Sequence, residues 1–487
     1  MRKTKIICTI GPASDSEEML KKLMLAGMNV TRFNFSHDTH EAHAEKFKRV
    51  VKLRRELGLP VATLLDTKGP EIRLRDFKNG SEVLEKGAKF TLTTRELLGD
   101  NTIVSVSYKD LPSDVQKGGV ILIDDGLIGL RVDEVDGTEI HCTVENGGKV
   151  SNHKGVNIPG ADLSMPFISD QDRSDIEFGC QMGFDYIAAS FTRTAADIRA
   201  IREILNAHGS KMKIIAKIES VQGVKNIKEI FKEADGVMVA RGDLGVEVPA
   251  EDVPAIQKEI IKLGAKMGKI VITATQMLDS MIANPRPTRA EASDVANAIL
   301  DGADAVMLSG ETSVGAFPVI TVQTMANIVE NTEKQGLGNI AKIEWDPHTT
   351  GGVIALAAMT SGQQLGAKFL IAFTQSGDTA RRMSRLRPDI PLLAFTPDEK
   401  TAHWLTLCWG ASVIKTPNYG SNEEMVTAVN RQLQEMGLAE QNDVVIIVFG
   451  SPMGVVGKTN TMRVHRLKGL DWVEPIELPP YMRKDAE

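Results

Sequence analysis

Two opposite charges end an apolar run in the segment Lys213 to Ser220, which reads KIIAKIES. The run is typical of a buried strand, where an ammonium or a carboxylate costs free energy unless the charge is paired or used. A core strand seldom ends in such a pair without a function. Lys217 and Glu219 are therefore the first candidates for chemistry.

Polar groups also follow five other apolar runs of the same kind. Taken singly, each cluster is more ordinary as a salt bridge at a rim or as a helix cap. Six clusters around one opening favour a functional site there instead. The six clusters are Arg32, Asn34 and Ser36; Asp66, Thr67 and Lys68; Lys217 and Glu219; Arg241, Gly242 and Asp243; Thr275 and Gln276; and Ser309 and Glu311.

Two of these clusters supply carboxylates that suit a divalent cation. Glu219 and Asp243 come from neighbouring strands and could share one ion. Proteins usually hold Mg²⁺ with one or two carboxylates and leave the other positions to water and phosphate oxygens. Arg32 and Lys217 add positive charge beside that ion, which suits an anionic substrate and a transition state spread over phosphoryl oxygens.

A second set of oxygens suits a monovalent cation. Asn34, Ser36 and Thr67 offer neutral oxygens, and Asp66 adds a single carboxylate. Close by in the predicted site, the stretch RGDLG leads from a strand into a helix, where exposed backbone N–H groups could receive a carboxylate or phosphate.

The elements that carry these residues are short, β-branched runs alternating with amphipathic helices. Such continuous apolar strands are typical of a parallel sheet covered on both faces. Eight repeats predict an α/β fold with a closed (β/α)8 TIM barrel, whose chemistry lies at the carboxyl ends of the strands. The first helix is expected to open with a capping box from Ser14 to Glu17. The eight runs are residues 4–10, 29–35, 61–67, 186–191, 213–219, 236–243, 270–276 and 305–311.

One gap in the repeat, between the third and fourth strands, is about a hundred residues too long. The inserted stretch lacks helical periodicity, and Asp136-Gly137 marks a hairpin in an alternating pattern. We therefore expect a barrel domain of residues 1–69 and 168–345. A small β-barrel lid domain of residues 70–167 would interrupt it and could close over the mouth.

A second alternation of strands and helices predicts a C-terminal open α/β domain over residues 346–487. Residues 336–352, rich in Gly and Thr, are interpreted as the linker, and the chain after Trp472 as a tail lying on the surface. The longest helix of this domain is expected from Asn422 to Gly437. The strands are expected at residues 368–374, 391–396, 411–416 and 443–450.

Composition limits the function classes. A net charge of −7 gives no support for general nucleic-acid binding, and no apolar run approaches the length that a bilayer requires. The cysteines form no CxxC pair, which argues against a zinc site and fits a reducing compartment. No signal peptide is recognised, so we expect a cytoplasmic protein. From the net charge and the short apolar runs we expect it to bind neither nucleic acid nor membrane.

Eight stretches of the sequence, in order and spread over the barrel, resemble the pyruvate kinase family. The resemblance extends over essentially the whole chain. The stretches are KIICTIGPAS, NVTRFNFSH, LLDTKGPEIR, NHKGVNIPG, KIIAKIES, VMVARGDLGVE, ITATQMLDSMIANPRPTRAE and DGADAVMLSGET.

The resemblance implies transfer of the phosphoryl group of phosphoenolpyruvate to ADP, giving pyruvate and ATP, the last step of glycolysis. It implies that Lys217 is the catalytic lysine, which neutralises the phosphoryl group in transfer, and that Arg32 grips the substrate phosphate. Gly242 would lie next to the substrate carboxylate, with Asp243 also binding the substrate. Thr275 would lie near the place where the enolate takes up its proton.

The resemblance also implies two ion sites and a nucleotide site. The Mg²⁺ (or Mn²⁺) ligands would be Glu219 and Asp243. The K⁺ ligands would be Asn34, Ser36, Asp66 and Thr67. The nucleotide contacts would be Asn34, His37, Arg73 and Lys154. Glu71 is the residue type found in potassium-dependent members, where others carry lysine.

Assembly and regulation are implied by the resemblance alone. A homotetramer is expected, and the turn within residues 373–382 holds an effector phosphate in members regulated by sugar phosphates. A phosphorylated effector could bind there, with Asp378 opposing a dianion and Arg381 and Arg382 offsetting it. The chain departs from the family at Asp38, where a glycine is usual, which places a carboxylate near the nucleotide edge.

Two other functions compete with this interpretation. A magnesium-dependent lyase or aldolase acting on pyruvate-like enolates could have similar carboxylates, but it would not need Arg73, Lys154 or a lid. An inactive metabolite-binding regulator would not need the intact set of catalytic residues.

Three histidines near one helix start resemble a metal cluster. Three-residue steps turn a helix by about 300° each, so His37, His40 and His43 cannot all converge on one ion. We interpret them as the solvated start of a helix.

Overall fold

The computed structural model of the chain describes residues 1–340, 347–452, 455 and 457–469. Within these residues the chain forms two compact units. The first comprises residues 1–340 with Ala402–Gly410, and the second comprises residues 347–401 with residues 411–469. The predicted linker lies partly outside the described residues, and the predicted tail after Trp472 lies wholly outside them.

Eight parallel strands close into a barrel in the first unit, neighbouring each other in chain order. This confirms the predicted α/β barrel. Successive side chains of a strand point to opposite faces, so Ile7 and Leu64 fill the interior while Ile6 and Leu65 pack outward against the helices. The strands are Lys5–Thr9, Val30–Asn34, Ala62–Asp66, Tyr186–Ala189, Lys213–Ile218, Gly236–Ala240, Ile270–Ala274 and Ala305–Leu308.

Helices cover the outside of the barrel and begin at polar caps. The cap of the first helix is Ser16, whose hydroxyl accepts a hydrogen bond from the Met19 N–H at 3.2 Å. The predicted capping box at Ser14 is wrong, because Ser14 is buried and accepts instead from the Gly11 N–H at 3.1 Å. The helices are Glu17–Ala26, His40–Glu56, Asp170–Met182, Ala195–Ala207, Val221–Lys225, Ile227–Glu233, Arg241–Glu247, Val253–Met267, Arg289–Asp301, Gly310–Ser313 and Pro318–Gly336, with 3-10 turns at Asp279–Ile282 and Leu337–Asn339.

The segment Ala402–Gly410 belongs to the first unit, although the chain on either side of it belongs to the second. Leu407 is buried in the interior cluster of the barrel together with Tyr186. The hydroxyl of Tyr186 donates a hydrogen bond to the carbonyl oxygen of Trp404. This segment therefore packs at the end of the barrel opposite the strand carboxyl ends, a placement that the sequence did not predict.

The stretch inserted after the third strand forms a β domain built on a seven-stranded sheet. Its edge strands meet at the Leu74–Val106 bridge, where the Arg75 N–H donates to the Ser105 carbonyl at 2.8 Å, so the sheet closes on itself. In spatial order the strands are Ile72–Arg73, Gly155–Asn157, Val120–Ile123, Ile128–Asp136, Glu139–Asn146, Lys89–Thr93 and Ile103–Ser105. Ser81–Leu84 pairs separately with Gly148–Ser151, and one short helix is Leu111–Asp114. The predicted domain limits stay a prediction.

The second unit contains a five-stranded sheet. Four strands are parallel and match the predicted runs. The fifth, Thr459–Arg466, runs antiparallel to Val444–Gly450 and was not predicted, because its polar residues give it little of the apolar character of a buried strand. In spatial order the strands are Ala411–Lys415, Leu392–Thr396, Phe369–Phe373, Val444–Gly450 and Thr459–Arg466.

The helix Thr350–Leu365 begins inside the stretch predicted as a linker. Two glycines in its first turn lower its helix propensity, but the Thr349 hydroxyl caps it by accepting from the Gly352 N–H at 3.2 Å. With 16 residues it exceeds Asn422–Glu435, which has 14, so the prediction of the longest helix is wrong. A further helix of this unit is Asp378–Arg385. The helix Glu399–Trp404 runs into the segment Ala402–Gly410 of the first unit, which contains a 3-10 turn at Leu405–Leu407. None of the helices in the described ranges has the length and hydrophobicity that crossing a bilayer requires.

Candidate active site

Lys217 lies at the centre of the polar groups at the barrel mouth. Its ammonium nitrogen is 3.1 Å from Asp66 Oδ1 and 2.9 Å from Glu219 Oε1, and it donates to Ser190 Oγ at 2.7 Å. Only 10% of the side chain is exposed. Three strands of the barrel thus bring their ends together around one buried cation.

The charges around Lys217 fix its protonation state. Burial alone would lower the pKa of Lys217, but the negative charges of Asp66 and Glu219 outweigh burial and raise it. Burial alone would raise the pKa of Asp66, but the positive charges of Arg32 and Lys217 outweigh burial and lower it. Lys217 is therefore an ammonium, and Asp66 a carboxylate, at neutral pH.

Arg32 is held on the other side of Asp66. Its Nε lies 2.5 Å from Asp66 Oδ2, and its Nη1 donates to Thr9 Oγ1 at 3.0 Å. Thr9 and Ser190 end the two strands to which the sequence assigned no polar cluster, yet both contact the site. Each is the polar residue at the end of an apolar run, which is the signal that could have found them.

Glu219 and Asp243 form the predicted carboxylate pair. Burial, opposed by the positive charge of Lys217 and reinforced by the negative charge of Asp243, raises the pKa of Glu219. Burial also raises the pKa of Asp243, and the two carboxyl groups interact directly. Two acids held this close in a buried site would be stabilised by a divalent cation. Within the described ranges, no group of three or more His, Cys, Asp or Glu side chains is arranged to hold a metal ion.

The predicted monovalent-ion ligands lie on two neighbouring strand ends. Asn34 pairs with Asp66 in the register of the sheet, and the Ser36 N–H donates to Asn34 Oδ1 at 3.2 Å. Thr67 follows directly, but its hydroxyl already donates to the Ala188 carbonyl at 3.3 Å. The structure thus brings the four residues to one side of the mouth, with Ser36 the most exposed.

Two of the predicted nucleotide contacts share one cavity. His37 and Arg73 line a cavity of about 430 Å³ together with Glu71 and His153. Arg73 is paired with Glu71, at 2.8 Å between Nη2 and Oε2, and donates to the His153 carbonyl at 2.8 Å. The negative charge of Glu71 is therefore balanced by the positive charge of Arg73.

The other two predicted nucleotide contacts lie outside that cavity. Lys154 is paired with Asp124 of the β domain, at 2.8 Å between Nζ and Oδ1. Neither Lys154 nor Asn34 is among the residues that line the cavity of His37 and Arg73.

Thr275 and Gly242 meet at the opposite side of the mouth. The Gly242 N–H donates to Thr275 Oγ1 at 2.8 Å, and this hydroxyl donates in turn to the Ala274 carbonyl at 2.6 Å. Gly242 and Asp243 line a cavity of about 520 Å³ together with Gln276. The Gly242 N–H is thus directed at a side-chain oxygen and is available to exchange it for a ligand oxygen.

The histidine cluster is not a solvated helix start. His43 is buried and stacks on Phe35 with ring centres 4.0 Å apart, and His40 stacks on Phe178 at 4.3 Å. His37 lies before the helix and is exposed. The earlier interpretation fails for His40 and His43, because aromatic neighbours from other elements cover them.

The cluster at the last strand end has a structural role. Glu311 accepts hydrogen bonds from the backbone N–H groups of Ser309 at 2.7 Å and Leu278 at 3.1 Å. Both carboxylate oxygens are therefore used to fix the backbone at the rim.

Asp38 has a backbone conformation that explains why a glycine is usual at this position in the family. Its φ is 69°, in the left-handed region where only Gly, Asn and Asp are common. Its carboxylate pairs with Lys46 at 2.6 Å. Asp38 does not line the cavity of His37 and Arg73.

The fold and the site define a class of protein, a (β/α)8 barrel with an inserted β domain and with cations and carboxylates paired at its mouth. The family model described as "Pyruvate kinase, barrel domain" matches residues 1–322, and "Pyruvate kinase, alpha/beta domain" matches residues 353–465. The chain belongs to the pyruvate kinase family.

Individual relatives agree along nearly the whole chain. A pyruvate kinase of Clostridium perfringens is 48% identical over 474 residues, covering 96% of this chain and 100% of the relative. One of Geobacillus stearothermophilus is 48% identical over 476 residues, covering 96% of this chain and 81% of the relative. The crystal structure of a pyruvate kinase from Cryptosporidium parvum aligns with a TM-score of 0.90 at 37% identity and covers 96% of both chains.

Proposed function

We propose that this chain transfers the phosphoryl group of phosphoenolpyruvate to ADP, giving pyruvate and ATP, with the residues at the barrel mouth as its active site. The observation that carries the proposal is the buried ammonium of Lys217, held between Asp66 and Glu219 with Arg32 on the far side of Asp66. Phosphoryl transfer depends mainly on positioning and on fixed positive charge, because the transition state spreads its charge over the phosphoryl oxygens. Such an arrangement supplies both.

Substrate binding uses cations and one backbone group. Arg32 and Lys217 receive the phosphate, exchanging part of their bonds to Asp66 for phosphoryl oxygens. The Gly242 N–H receives the carboxylate in place of Thr275 Oγ1, 2.8 Å away. The substrate is thereby held at both ends, which places its enol oxygen and phosphorus for transfer.

The reaction breaks the bond between phosphorus and the enol oxygen and forms a bond from phosphorus to an ADP oxygen. Lys217 neutralises the charge of the group in transfer, in a site that excludes much of the solvent. The enolate left behind takes up a proton at its methylene carbon, next to Thr275. The Thr275 hydroxyl, held by its bond to the Ala274 carbonyl at 2.6 Å, orients that step.

The residues present fit a divalent cation, Mg²⁺ or Mn²⁺, held by Glu219 and Asp243. When bound, the ion polarises phosphoryl oxygens and offsets the charge of the two acids. The set Asn34, Ser36, Asp66 and Thr67 fits K⁺, with one formal negative charge and several neutral oxygens. A cation there would interact with the carboxylate of Asp66 and so compete with Arg32, whose Nε lies 2.5 Å from Asp66 Oδ2.

The nucleotide is proposed to bind in the cavity of His37 and Arg73, with Asn34 and Lys154 as further contacts. Arg73 and Lys154 would exchange their present partners, Glu71 and Asp124, for phosphate oxygens. Lys154 belongs to the inserted β domain. This position supports the proposal that the β domain is a lid, which completes the nucleotide site when the lid closes.

A phosphorylated effector is proposed for the second unit. A cavity of about 500 Å³ there is lined by Thr374, Ser376, Thr379 and Lys458 among others. Asp378, which would repel a dianion, is already paired with Arg382 at 2.6 Å. Hydroxyl groups and one lysine suit a phosphate group.

A homotetramer is proposed from the family and from exposed apolar side chains. Val314 is 61% exposed and Ile320 43% exposed, and both lie near the start of the helix Pro318–Gly336. Exposed apolar side chains on one segment of the chain support contact with another subunit. Light scattering on the purified protein measures the assembly directly. A cytoplasmic location stays a prediction.

The proposed reaction is tested by measuring pyruvate formed from phosphoenolpyruvate with and without ADP. Formation that requires ADP and is matched by ATP is the expected result. Pyruvate formed without ADP would favour the lyase or phosphatase class, and no pyruvate under either condition would favour the inactive regulator. Either outcome would contradict the proposal.

A further inference from the structure

The turn after the strand Ile270–Ala274 has a backbone conformation that side chains rarely adopt. Thr275 has a φ of 66° and Gln276 a φ of 54°. For a β-branched residue a positive φ is a marked outlier, and it persists only where the surrounding structure holds it in place. The turn that presents the Thr275 hydroxyl therefore needs a stabilising partner.

Arg241 supplies that partner. Its Nη2 donates to the carbonyl oxygens of Thr275 at 2.8 Å and Gln276 at 3.4 Å and lies 2.9 Å from the sulfur of Met277. Its Nη1 donates to Asp294 Oδ1 at 2.7 Å, and only 12% of the side chain is exposed. One planar guanidinium thus binds three consecutive residues of the strained turn while a carboxylate fixes its orientation.

The same arginine also fixes the neighbouring strand end. Arg241 directly precedes Gly242 and Asp243 at the start of the helix Arg241–Glu247. The Gly242 N–H in turn donates to Thr275 Oγ1 at 2.8 Å. The distance between the proposed carboxylate-binding N–H and the Thr275 hydroxyl is therefore set by a closed loop of contacts through Arg241.

We propose that Arg241 is a positioning residue for the protonation of the enolate: it holds the turn so that Thr275 Oγ1 stays beside Gly242. The inference rests on the proposed role of Thr275. A lysine at this position would keep the charge but not the planar fork, which binds the turn through Nη2 and Asp294 through Nη1. Arg241→Lys should therefore misplace Thr275 while leaving the phosphate-binding residues Arg32 and Lys217 in place.

The test is the exchange of the pyruvate methyl protons with deuterium, followed by NMR in D₂O with Mg²⁺, K⁺ and ATP present. In this half-reaction a C–H bond of the methyl group breaks, the proton leaves, its electron pair forms the enolate, and a deuteron returns. We expect Arg241→Lys to lower the exchange rate and kcat per folded molecule together, each by about tenfold or more. KM for phosphoenolpyruvate should change less than kcat.

Arg54→Lys is the matched control. Arg54 is also a buried arginine bound to a carboxylate and a carbonyl, with 7% of its side chain exposed and Nη1 donating to Asp185 Oδ2 at 3.1 Å and to the Val61 carbonyl at 3.0 Å. It lies away from the mouth, so its substitution should lower stability without changing exchange per folded molecule. A similar result for Arg241→Lys would show a merely structural role and overturn the inference.

Two further variants keep the outcome interpretable. Thr275→Ala should lower exchange; if it does not, the role of Thr275 is wrong and the inference falls with it. If Thr275→Ala lowers exchange but Arg241→Lys does not, only the positioning inference is wrong. Should Arg241→Lys fail to fold, Asp294→Asn weakens the same guanidinium indirectly and should lower exchange a few-fold, and an unchanged rate in that variant would overturn the inference.

Discussion

The ammonium of Lys217 lies 2.9 Å from Glu219 Oε1, so the proposed catalytic cation and a proposed metal ligand form one buried ion pair. Burying either charge alone costs free energy, and the pairing of the two charges offsets part of that cost. The charged end of KIIAKIES is therefore a paired unit at the mouth. Removing either partner affects both catalysis and the charge balance of the site.

Replacing Lys217 by methionine should lower turnover by about 10²–10³ or more, because the phosphoryl group loses a fixed positive charge in a site that excludes much of the solvent. Steady-state kinetics measures the loss, and Mn²⁺ binding followed by paramagnetic resonance should show that the metal still binds. Lys213→Met is the matched control, since Lys213 begins the same strand and contacts Trp404. Near-normal turnover of Lys217→Met would remove it from the catalytic site.

Replacing Glu219 by glutamine or Asp243 by asparagine should raise the Mg²⁺ concentration needed for half-maximal activity, because each carboxylate is one of few protein ligands. Titration of activity with Mg²⁺ measures this shift. Glu311→Gln is the control, a rim carboxylate whose oxygens accept only backbone N–H groups. Its Mg²⁺ requirement should match that of the unaltered protein. An unchanged requirement in Glu219→Gln would rule out the shared ion.

Activity should be low in sodium or tetramethylammonium buffers and rise several-fold with added K⁺, because an ion at Asp66 competes with Arg32 for its charge. Glu71→Lys should weaken this dependence by supplying a fixed positive charge. It also removes the partner of Arg73, so KM for ADP should change as well. Glu134→Lys, at an exposed position of the β domain, is the control for added charge. Full activity of the unaltered protein without K⁺ would refute the site.

Lys5 should make unfolding depend on alkaline pH. Burial lowers the pKa of Lys5 to about 8, against about 10.4 in an unfolded chain. Between these values the unfolded chain binds more protons, so the contribution of Lys5 to the free energy of unfolding rises with pH by about 3 kcal/mol in all. Below pH 8 the ammonium of Lys5 is retained in a buried site, and this burial lowers the free energy of unfolding.

The free energy of unfolding of Lys5→Met relative to that of the parent should therefore fall by about 3 kcal/mol between pH 7 and pH 10.5. Denaturant unfolding at both pH values, followed by circular dichroism, measures the difference between variant and parent. Lys48→Met, at an exposed helix position, should show no such pH dependence. A difference between Lys5→Met and the parent that stays constant from pH 7 to pH 10.5 would contradict this account.

Periodicity in the sequence was sufficient for the barrel. Each of the eight apolar runs contains a strand. A strand buried on both faces must be apolar throughout, and this pattern can be recognised without knowing which strands lie beside it. The polar groups at the strand ends were equally visible. Thr9 and Ser190 were missed because a single hydroxyl after an apolar run is a common residue with no charge to mark it.

The sequence by itself determined which side chains lie at the mouth of the barrel. The eight strands are parallel, so the residues at their carboxyl ends all meet at one end of the barrel. The tertiary structure decided which partners they take there. Asp66 divides its oxygens between Arg32 and Lys217, and Arg241 holds the strained turn of Thr275. Such pairings join residues from different strands and depend on closure of the barrel. The placement of Ala402–Gly410 in the first unit has the same cause, because its contacts are with residues far away in the sequence and leave no local pattern.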